Sequence, residues 1–231
     1  MRLILALTSA TLLAAAPPAP TFTASHAKAD FAPTADPDAR QWKHVKPVKA
    51  AVDPFGKPAT AGNAFEFRTQ WTRDNIYFLF ICPYETLTLK PNPSTTEETN
   101  KLWDWDVTEV FIGANFEQIG KYGEFQVSPQ GEWVDLDIDR SAPRASGGWK
   151  WNSGMKVAAR IDKDKKIWYG EMMIPIKSID QREAKAGNEF RINVYRLTGA
   201  GPDHRVSTMW TPVEDRSHHT PAKFGRMVLG K

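Results

Sequence analysis

Cysteine is almost absent from this chain of 231 residues. Cys82 is the only one, so no disulfide can form within the chain, and both a Cys-x-x-Cys zinc site and a Cys-x-x-Cys-His haem attachment site are excluded. Cys82 lies in the apolar run of residues 76–82, where we expect it to be a small buried hydrophobe. The fold must therefore be stabilised by its hydrophobic core.

The chain also lacks a strong excess of charge of one sign. It has 30 Lys and Arg residues against 27 Asp and Glu residues, a formal net charge of +3, and the two signs are intermixed. No basic run of five or more residues occurs, so we expect no nucleic-acid partner. A glycine-rich phosphate loop and an alternation of strands with helices are also missing, which argues against a nucleotide-binding fold.

Long hydrophobic runs are confined to the N-terminus. Arg2 is followed by an apolar run over residues 3–16, which is too short to span a bilayer. A positive start before a short apolar region is typical of a secretory signal peptide. We therefore expect residues 1–29 to be a signal peptide and leader, cut between Ala16 and Ala29, and the protein to be secreted or periplasmic without a membrane span.

The remaining sequence has the pattern of many short strands. Residues 65–71 alternate between apolar and polar side chains, and residues 76–82 are apolar on both faces, as in a central strand. Further strands are predicted at Val107–Gly113, Tyr122–Ser128, Glu132–Asp139, Met155–Ile161, Ile167–Ile174, Phe190–Leu197, Val206–Trp210 and Phe224–Leu229. Only Lys177–Ala186 has helical character. We predict an all-β fold over residues 30–231, a single antiparallel β-sandwich domain of jelly-roll or immunoglobulin-like type with one short helix.

Two segments fall outside this strand pattern. Residues 17–40 are rich in Ala, Pro and Asp and are predicted to be a tether or a loosely packed segment. Residues 83–101 form a long polar loop, and long ordered loops in compact domains are often functional.

One segment concentrates aromatic and acidic side chains. Residues 102–113 read Leu-Trp-Asp-Trp-Asp-Val-Thr-Glu-Val-Phe-Ile-Gly, which places two tryptophans and two aspartates before a strand that contains Glu109. An indole beside carboxylates suits a sugar, because the ring covers the C–H face of a pyranose and the acids accept hydroxyl protons. The alternative is that both rings plug the end of the sandwich. Trp149 and Trp151 pose the same choice between a second sugar platform and a packed strand end.

Strand parity predicts further polar side chains beside Glu109. Glu124 and Gln126 lie on one face of their strand, and Asn193 and Tyr195 lie on one face of theirs. If these strands share a sheet with the strand of Glu109, then Glu109, Gln126, Asn193 and Tyr195 form one polar and aromatic patch. The alternative is that each is an ordinary solvent-facing position.

Six short motifs follow one another along the chain. They are Trp71-x-x-Asp74-x-x-Tyr77, Trp103-x-x-Asp106-x-x-Glu109-Val110-Phe111-Ile112, Tyr122-x-Glu124-Phe125-x-Val127-Ser128, Glu171-x-x-Ile174-Pro175, Arg191-Ile192-Asn193, and Trp210 followed by Pro221-Ala222-Lys223-Phe224-Gly225. This ordered set resembles family 9 carbohydrate-binding modules and their DOMON-like relatives, and it extends from about Trp42 to Leu229. The resemblance implies a β-sandwich that binds sugars, in some members at the reducing end of a glycan. It also implies a bound calcium ion with a structural role.

The resemblance also assigns roles to residues. Trp103 matches a tryptophan that stacks on the sugar, Glu109 matches a binding carboxylate, and Asn193 falls at or near a position with polar contacts. Gln126 stands where better-known members have a basic residue, and His218 takes the place of a second stacking tryptophan. The predicted carbohydrate-binding residues are Trp103, Asp106, Glu109, Gln126, Asn193, Tyr195 and His218.

We therefore expect an exported, non-catalytic module that binds a glycan or oligosaccharide and supports the breakdown of xylan-type polysaccharides beside polysaccharide-degrading enzymes. Three other functions stay open, and the first is a structural or partner module that binds no sugar. A glycoside hydrolase would draw its carboxylate pair from Asp104, Asp106, Glu109 and Glu124. A haem-binding electron-transfer module would draw its axial ligands from Met172, Met173, Met209, His204, His218 and His219.

Metal binding has two candidate positions in the sequence. Asp135, Asp137 and Asp139 lie on one strand face, a pattern that calcium binding or plain solvation explains as well as catalysis does. His218 and His219 are adjacent, and side chains of adjacent residues on an extended chain point in opposite directions. The histidine pair is therefore not expected to hold one metal ion.

Overall fold

The computed structural model describes residues 18–142, 151–199, 201 and 203–231. Twelve strands form in this part of the chain: β1 Thr21–His26, β2 Val48–Ala50, β3 Phe65–Trp71, β4 Asn75–Pro83, β5 Val107–Gly113, β6 Lys121–Val127, β7 Trp133–Asp139, β8 Lys156–Asp162, β9 Ile167–Pro175, β10 Glu189–Thr198, β11 Val206–Met209 and β12 Gly225–Leu229. Three 3-10 helices occupy Leu102–Asp104, Ile176–Ser178 and Pro221–Lys223. No helix among these residues is long and apolar enough to cross a membrane. The apolar run of residues 3–16 and Trp149 lie outside the described residues.

The strands form two sheets that curl into a nearly closed sandwich. Their hydrogen-bonded order is β7-β6-β5-β10-β12-β1-β3-β4-β9-β8, with β11 on β10 and β2 on β3. Every pairing is antiparallel except those of β1, which runs parallel to β12 through its first four residues and parallel to β3 through its last two. β1 thereby connects the first sheet, which holds β5, β6 and β10, to the second sheet, which holds β3, β4 and β9. The predicted antiparallel β-sandwich is confirmed.

The core between the sheets fixes which way the first sheet presents its polar residues. Val110 on β5, Phe125 on β6 and Val194 on β10 are fully buried in the same cluster as the aromatic residues of the second sheet. Because side chains alternate along a strand, burying these residues turns Glu109 and Gln126 to the opposite face. The outward face of the first sheet is therefore where the predicted site residues lie.

The predicted helix over Lys177–Ala186 is wrong, since only the 3-10 turn Ile176–Ser178 forms in that region. Local side-chain bonds replace the backbone bonds of a helix there. The Asp180 carboxylate accepts a hydrogen bond from the backbone N–H of Arg182 at 3.0 Å, and the Lys177 ammonium donates to the carbonyl of Gln181 at 2.9 Å. Such bonds give Asp and its neighbours an alternative to helical pairing.

The N-terminal segment is not a loose tether. β1 is a paired strand inside the sheet, and Trp42 is fully buried in a cluster with Tyr77 and Leu79 on the outer face of the second sheet. Phe31 stacks on the Tyr77 ring, with 3.9 Å between ring centroids. β1 also lies within residues 1–29, so a cut near the start of the predicted interval would retain this strand and a cut at its end would remove it.

Candidate functional site

Three polar side chains share the outward face of the first sheet. β5 pairs with β6 so that Glu109 lies opposite Gln126, and Glu124 lies two residues before Gln126 on the same face. On the other side of β5, Tyr195 of β10 lies opposite Glu109. We call Glu109, Glu124 and Gln126 the acceptor face. The predicted parity of these strands is confirmed, and parity also placed Glu124 here.

The acceptor face is buried yet retains open hydrogen-bonding capacity. Glu109, Glu124 and Gln126 are 2%, 4% and 0% exposed. The Gln126 amide donates from Nε2 to Glu124 Oε1 at 2.6 Å, which turns its Oε1 atom away from Glu124. Glu109 Oε2 and Gln126 Oε1 are buried without a hydrogen-bond partner among the described residues. Since buried polar atoms are almost always hydrogen-bonded, both oxygens are placed to accept hydrogen bonds from water or a ligand.

His218 covers one side of this face. Its ring stacks on Tyr195, with 4.9 Å between centroids and 14° between planes, and its Nδ1 atom lies 3.6 Å from Glu109 Oε2. Its Nε2 atom lies 2.9 Å from Ser207 Oγ. Burial raises the pKa of the Tyr195 phenol well above its usual value, so the hydroxyl stays protonated and donates to the His218 carbonyl at 3.0 Å. Tyr195 therefore fixes the ring and the backbone of His218 together.

His219 makes a parallel set of contacts with the other carboxylate. Its ring stacks on Phe111 at 5.1 Å, its Nδ1 atom lies 2.8 Å from the Tyr122 hydroxyl, and its Nε2 atom lies 3.8 Å from Glu124 Oε2. Both histidines thus reach the same face, contrary to the expectation for an extended chain. The reason is a tight turn, in which the backbone N–H of Thr220 donates to the His218 carbonyl at 2.9 Å.

Trp103 borders the acceptor face at the start of β5. It lies in the 3-10 helix Leu102–Asp104, is half-buried, and packs against a cluster that includes Leu102 and Val107. Val107 precedes Glu109 by two residues on the same strand face, so the cluster against which the indole packs includes a neighbour of Glu109 on that face. Its partial exposure is compatible with a stacking platform and shows that it is not a fully buried plug.

Asn193 lies on the same outward face but has its hydrogen bonds satisfied. It is fully buried, its Nδ2 donates to the Thr211 carbonyl at 2.9 Å, and its Oδ1 accepts from the Thr211 backbone N–H at 3.1 Å. The amide therefore holds the segment after β11 against β10. This contact positions the chain that leads toward His218.

Asp106 is not brought to the acceptor face. Its parity along the chain is opposite to that of Glu109, and its Oδ1 accepts a hydrogen bond from the backbone N–H of Gly199 at 2.9 Å. Burial raises the pKa of this carboxyl, which the nearby Arg196 guanidinium partly offsets. Of the predicted residues, the structure brings together Glu109, Gln126, Tyr195 and His218, with Trp103 at the border.

Sequence reasoning left Glu124 and His219 outside the predicted site. A signal for each was present, because Glu124 alternates with Gln126 on one strand face and His219 adjoins His218. The fold-back that turns both imidazoles the same way has no comparable local signal.

The aspartates of β7 do not converge on one ion. Side chains on one face of a strand are about 7 Å apart along it, and these residues bond to separate partners. Asp135 Oδ2 accepts from the Ser153 backbone N–H at 3.2 Å, whereas Asp139 Oδ2 lies 3.6 Å from the Lys121 ammonium. Within the described ranges, no group of three or more His, Cys, Asp or Glu side chains could hold a metal ion. Structural calcium elsewhere stays a prediction.

Two of the methionines considered as haem ligands are core residues. Met172 is fully buried between the sheets, and Met209 is fully buried in a cluster with Phe111 and Tyr195. Both therefore contribute packing in this structure.

Comparison with known proteins identifies the family and the fold of this chain. The family model for the carbohydrate family 9 binding domain-like proteins matches residues 37–231. A search of curated proteins gave no significant match. Among solved structures, a proposed carbohydrate-binding protein from Bacteroides uniformis is 14% identical, with a TM-score of 0.71 over 91% of this chain and 99% of that chain.

A family 9 carbohydrate-binding module from Caldicellulosiruptor kristjanssonii is similar in fold. Its complex with cellotriose is 14% identical to this chain, with a TM-score of 0.64 over 91% of this chain and 94% of that chain. Its complex with glucose is also 14% identical, with a TM-score of 0.63 over 92% and 97%. Because the family model spans most of the sequence, the chain belongs to the carbohydrate family 9 binding domain-like family.

Proposed function

We propose that the acceptor face and Trp103 together form the carbohydrate-binding site of this module. The observation that carries the proposal combines two features of the described residues: two buried oxygens without a hydrogen-bond partner, Glu109 Oε2 and Gln126 Oε1, and the half-buried Trp103 indole, which packs against the cluster that includes Val107 of β5. Sugar hydroxyls donate to such oxygens, while the apolar face of a pyranose covers an indole. A sugar therefore matches both parts of this surface at once.

His218 supplies the opposing wall of the proposed site. The Tyr195 ring and hydroxyl hold it in place, so it meets a ligand without first being ordered. An imidazole covers less area than an indole, so a sugar between Trp103 and His218 is held more weakly than a sugar between two tryptophans. We infer modest affinity for a single sugar unit.

We further propose that the module acts outside the cytoplasm, where it keeps polysaccharide fragments near degrading enzymes. The apolar run of residues 3–16 supports export, and membership in a carbohydrate-binding family supports the glycan partner. The module binds and does not hydrolyse in this proposal. Xylan-type chains are the expected polymer.

Calorimetric titration tests the proposal with two sugars, glucose and cellotriose. Trp103→Ala should weaken binding at least tenfold, equivalent to about 1.4 kcal/mol, because a stacked aromatic contributes about 0.5–1.5 kcal/mol beyond its buried area. Trp151→Ala is the matched control, since Trp151 is also half-buried but packs edge-on against the core residue Phe125 at 5.9 Å.

Thermal melts of the same variants separate binding from folding. The proposal predicts a small change in melting temperature for Trp103→Ala and unchanged sugar affinity for Trp151→Ala. Full sugar affinity in Trp103→Ala, together with a strongly lowered melting temperature, would mean that the indole is a structural plug. If the unmodified protein binds neither glucose, nor cellotriose, nor any member of a glycan panel, the proposed site is refuted.

A further inference from the structure

The acceptor face has a marked imbalance between hydrogen-bond acceptors and donors. Glu109 contributes a carboxylate, and Gln126 presents its amide oxygen because its amide nitrogen is already bonded to Glu124. A carboxylate only accepts hydrogen bonds, so a ligand group that contacts these two oxygens must supply the hydrogen-bond donors.

The arginines on neighbouring elements do not correct this imbalance. Arg191 donates to the carbonyls of Asn115 and Ile119 at 2.8–3.1 Å, and Arg205 pairs with Asp104 at 3.0 Å. The Arg196 guanidinium donates to backbone carbonyls of the loop before β3. Within the described residues, the ionisable donor that faces Glu109 is the His218 imidazole, at 3.6 Å.

We infer that this site, if it is the sugar site proposed above, prefers sugars that carry a free amino group and discriminates against uronic acids. An ammonium group brings three donors and a positive charge to the Glu109 carboxylate, so it meets both needs of the face. A uronate brings a second acceptor-only anion to a buried carboxylate, and two like charges close together in a desolvated site repel each other. Neutral sugars fall between, because their hydroxyls donate without adding charge.

The experiment compares sugars of one skeleton that differ in charge. Glucosamine carries the ammonium group, N-acetylglucosamine has the same amine capped and neutral, glucose has a hydroxyl there, and glucuronate carries a carboxylate. The 6-amino-6-deoxy isomer of glucose places the ammonium group at the other edge of the ring. Calorimetry at neutral pH should show at least one of the two amino sugars binding tenfold or more tightly than N-acetylglucosamine and glucose, and glucuronate binding tenfold or more weakly than glucose.

Two variants assign the discrimination to the acceptor face. Glu109→Gln removes the charge with little change in shape, so the ratio of amino-sugar to glucuronate affinity should fall at least tenfold. Glu85→Gln is the matched control, because its carboxylate is 80% exposed in the loop after β4 of the second sheet, and it should leave that ratio unchanged. Thermal melts confirm that both variants fold, and the sugar series on the unmodified protein stands even where Glu109→Gln does not fold.

The outcomes separate this inference from the proposed function. If no sugar binds, the proposed site is wrong. If glucose binds and neither amino sugar binds more tightly than N-acetylglucosamine, or glucuronate binds as well as glucose, the site stands and the inference fails. Ethanolamine is the final control, since binding as tight as that of glucosamine would show an amine site without sugar recognition and would overturn the inference.

Discussion

Glu171 offers the sharpest test of how the N-terminal segment is held against the sandwich. Its side chain is fully buried on β9, and its Oε2 atom accepts hydrogen bonds from the backbone N–H groups of Thr34 and Ala35, each at 2.8 Å. Its Oε1 atom accepts from the Trp42 indole at 3.0 Å. One side chain thus accepts hydrogen bonds from three donors, of which those of Ala35 and Trp42 are buried, on a segment more than 120 residues earlier in the sequence.

The cost of removing these acceptors follows from the donors left behind. A buried donor without a partner costs about 1–3 kcal/mol, so loss of the acceptor for the buried donors of Ala35 and Trp42 in Glu171→Ala would cost about 2–6 kcal/mol if the structure did not rearrange. The segment can lift away and give its donors to water, which limits the loss. We expect the free energy of unfolding to fall by about 3–5 kcal/mol, a large share of the roughly 5–15 kcal/mol of a typical domain.

Glu171→Gln isolates one contact. If the amide oxygen of the new side chain takes the place of Oε2, its NH2 group faces the indole N–H of Trp42, and two donors meet. This variant should lose about 1–3 kcal/mol. Trp42→Phe removes the opposing donor, so the double variant should be more stable than the sum of the two single effects by about 1–2 kcal/mol.

Denaturant unfolding of the four proteins in this cycle, followed by tryptophan fluorescence and circular dichroism, measures the coupling. Glu85→Gln, with its exposed carboxylate, should change stability by no more than about 0.5 kcal/mol. Strictly additive effects of Glu171→Gln and Trp42→Phe would refute the donor conflict. A Glu171→Ala variant as stable as the unmodified protein would refute the anchoring role itself.

Four further predictions follow from other parts of the structure. Burial and the nearby Asp135 carboxylate raise the pKa of Glu98 from 4.5 to about 7. The contribution of this group to stability is therefore fully present below pH 4.5 and is lost as the pH rises to about 7. Glu98→Gln should abolish this loss, so the melting temperature of the variant should depend less on pH than that of the unmodified protein. Protein that starts at Asp30 lacks Thr21–His26, a strand paired on both sides, and should melt at a far lower temperature than protein that starts at residue 17. Mass spectrometry of exported protein should accordingly place the mature N-terminus before that strand, and a mature N-terminus after the strand would contradict this. His218→Trp should tighten cellotriose binding severalfold in calorimetry, because an indole covers more of the ring, and unchanged affinity would show that this residue does not face the sugar. Purified protein should release no reducing sugar from cellotriose or xylan, and release that disappears in a Glu109→Gln variant would instead indicate hydrolysis.

The strands from residue 65 onward, and the two faces of those that form the site, could be predicted from the sequence. Val107–Gly113 forms as predicted, and Glu109 and Gln126 share an outward face because alternation along a strand has a period of two residues. This signal is local, since burying every second residue of a short segment is enough to set its orientation. The Trp103 segment was identifiable for the same reason, because its indoles and carboxylates lie within a few residues of Glu109.

The components contributed by distant parts of the chain could not be predicted in this way. β1 was not predicted as a strand, although Thr21–Ala24 alternates polar and apolar residues, because this short segment lies in an Ala- and Pro-rich region and its partner β12 is about 200 residues away. The predicted helix after β9 failed for a local reason instead, because the Asp180 carboxylate accepts a hydrogen bond from the backbone N–H of Arg182, two residues later.

The site itself divides along the same line. Sequence alone determined which face of its strand each of Glu109 and Gln126 occupies, because strand alternation is a property of the backbone, and the tertiary structure placed both strands in one sheet. The tertiary structure decided that His218 and His219 both fold onto this face, that Asn193 bonds to Thr211 in place of a ligand, and that Asp106 turns to the other side. Those positions depend on hydrogen bonds and ring contacts between segments far apart in sequence, which form only once the sheet has brought the segments together.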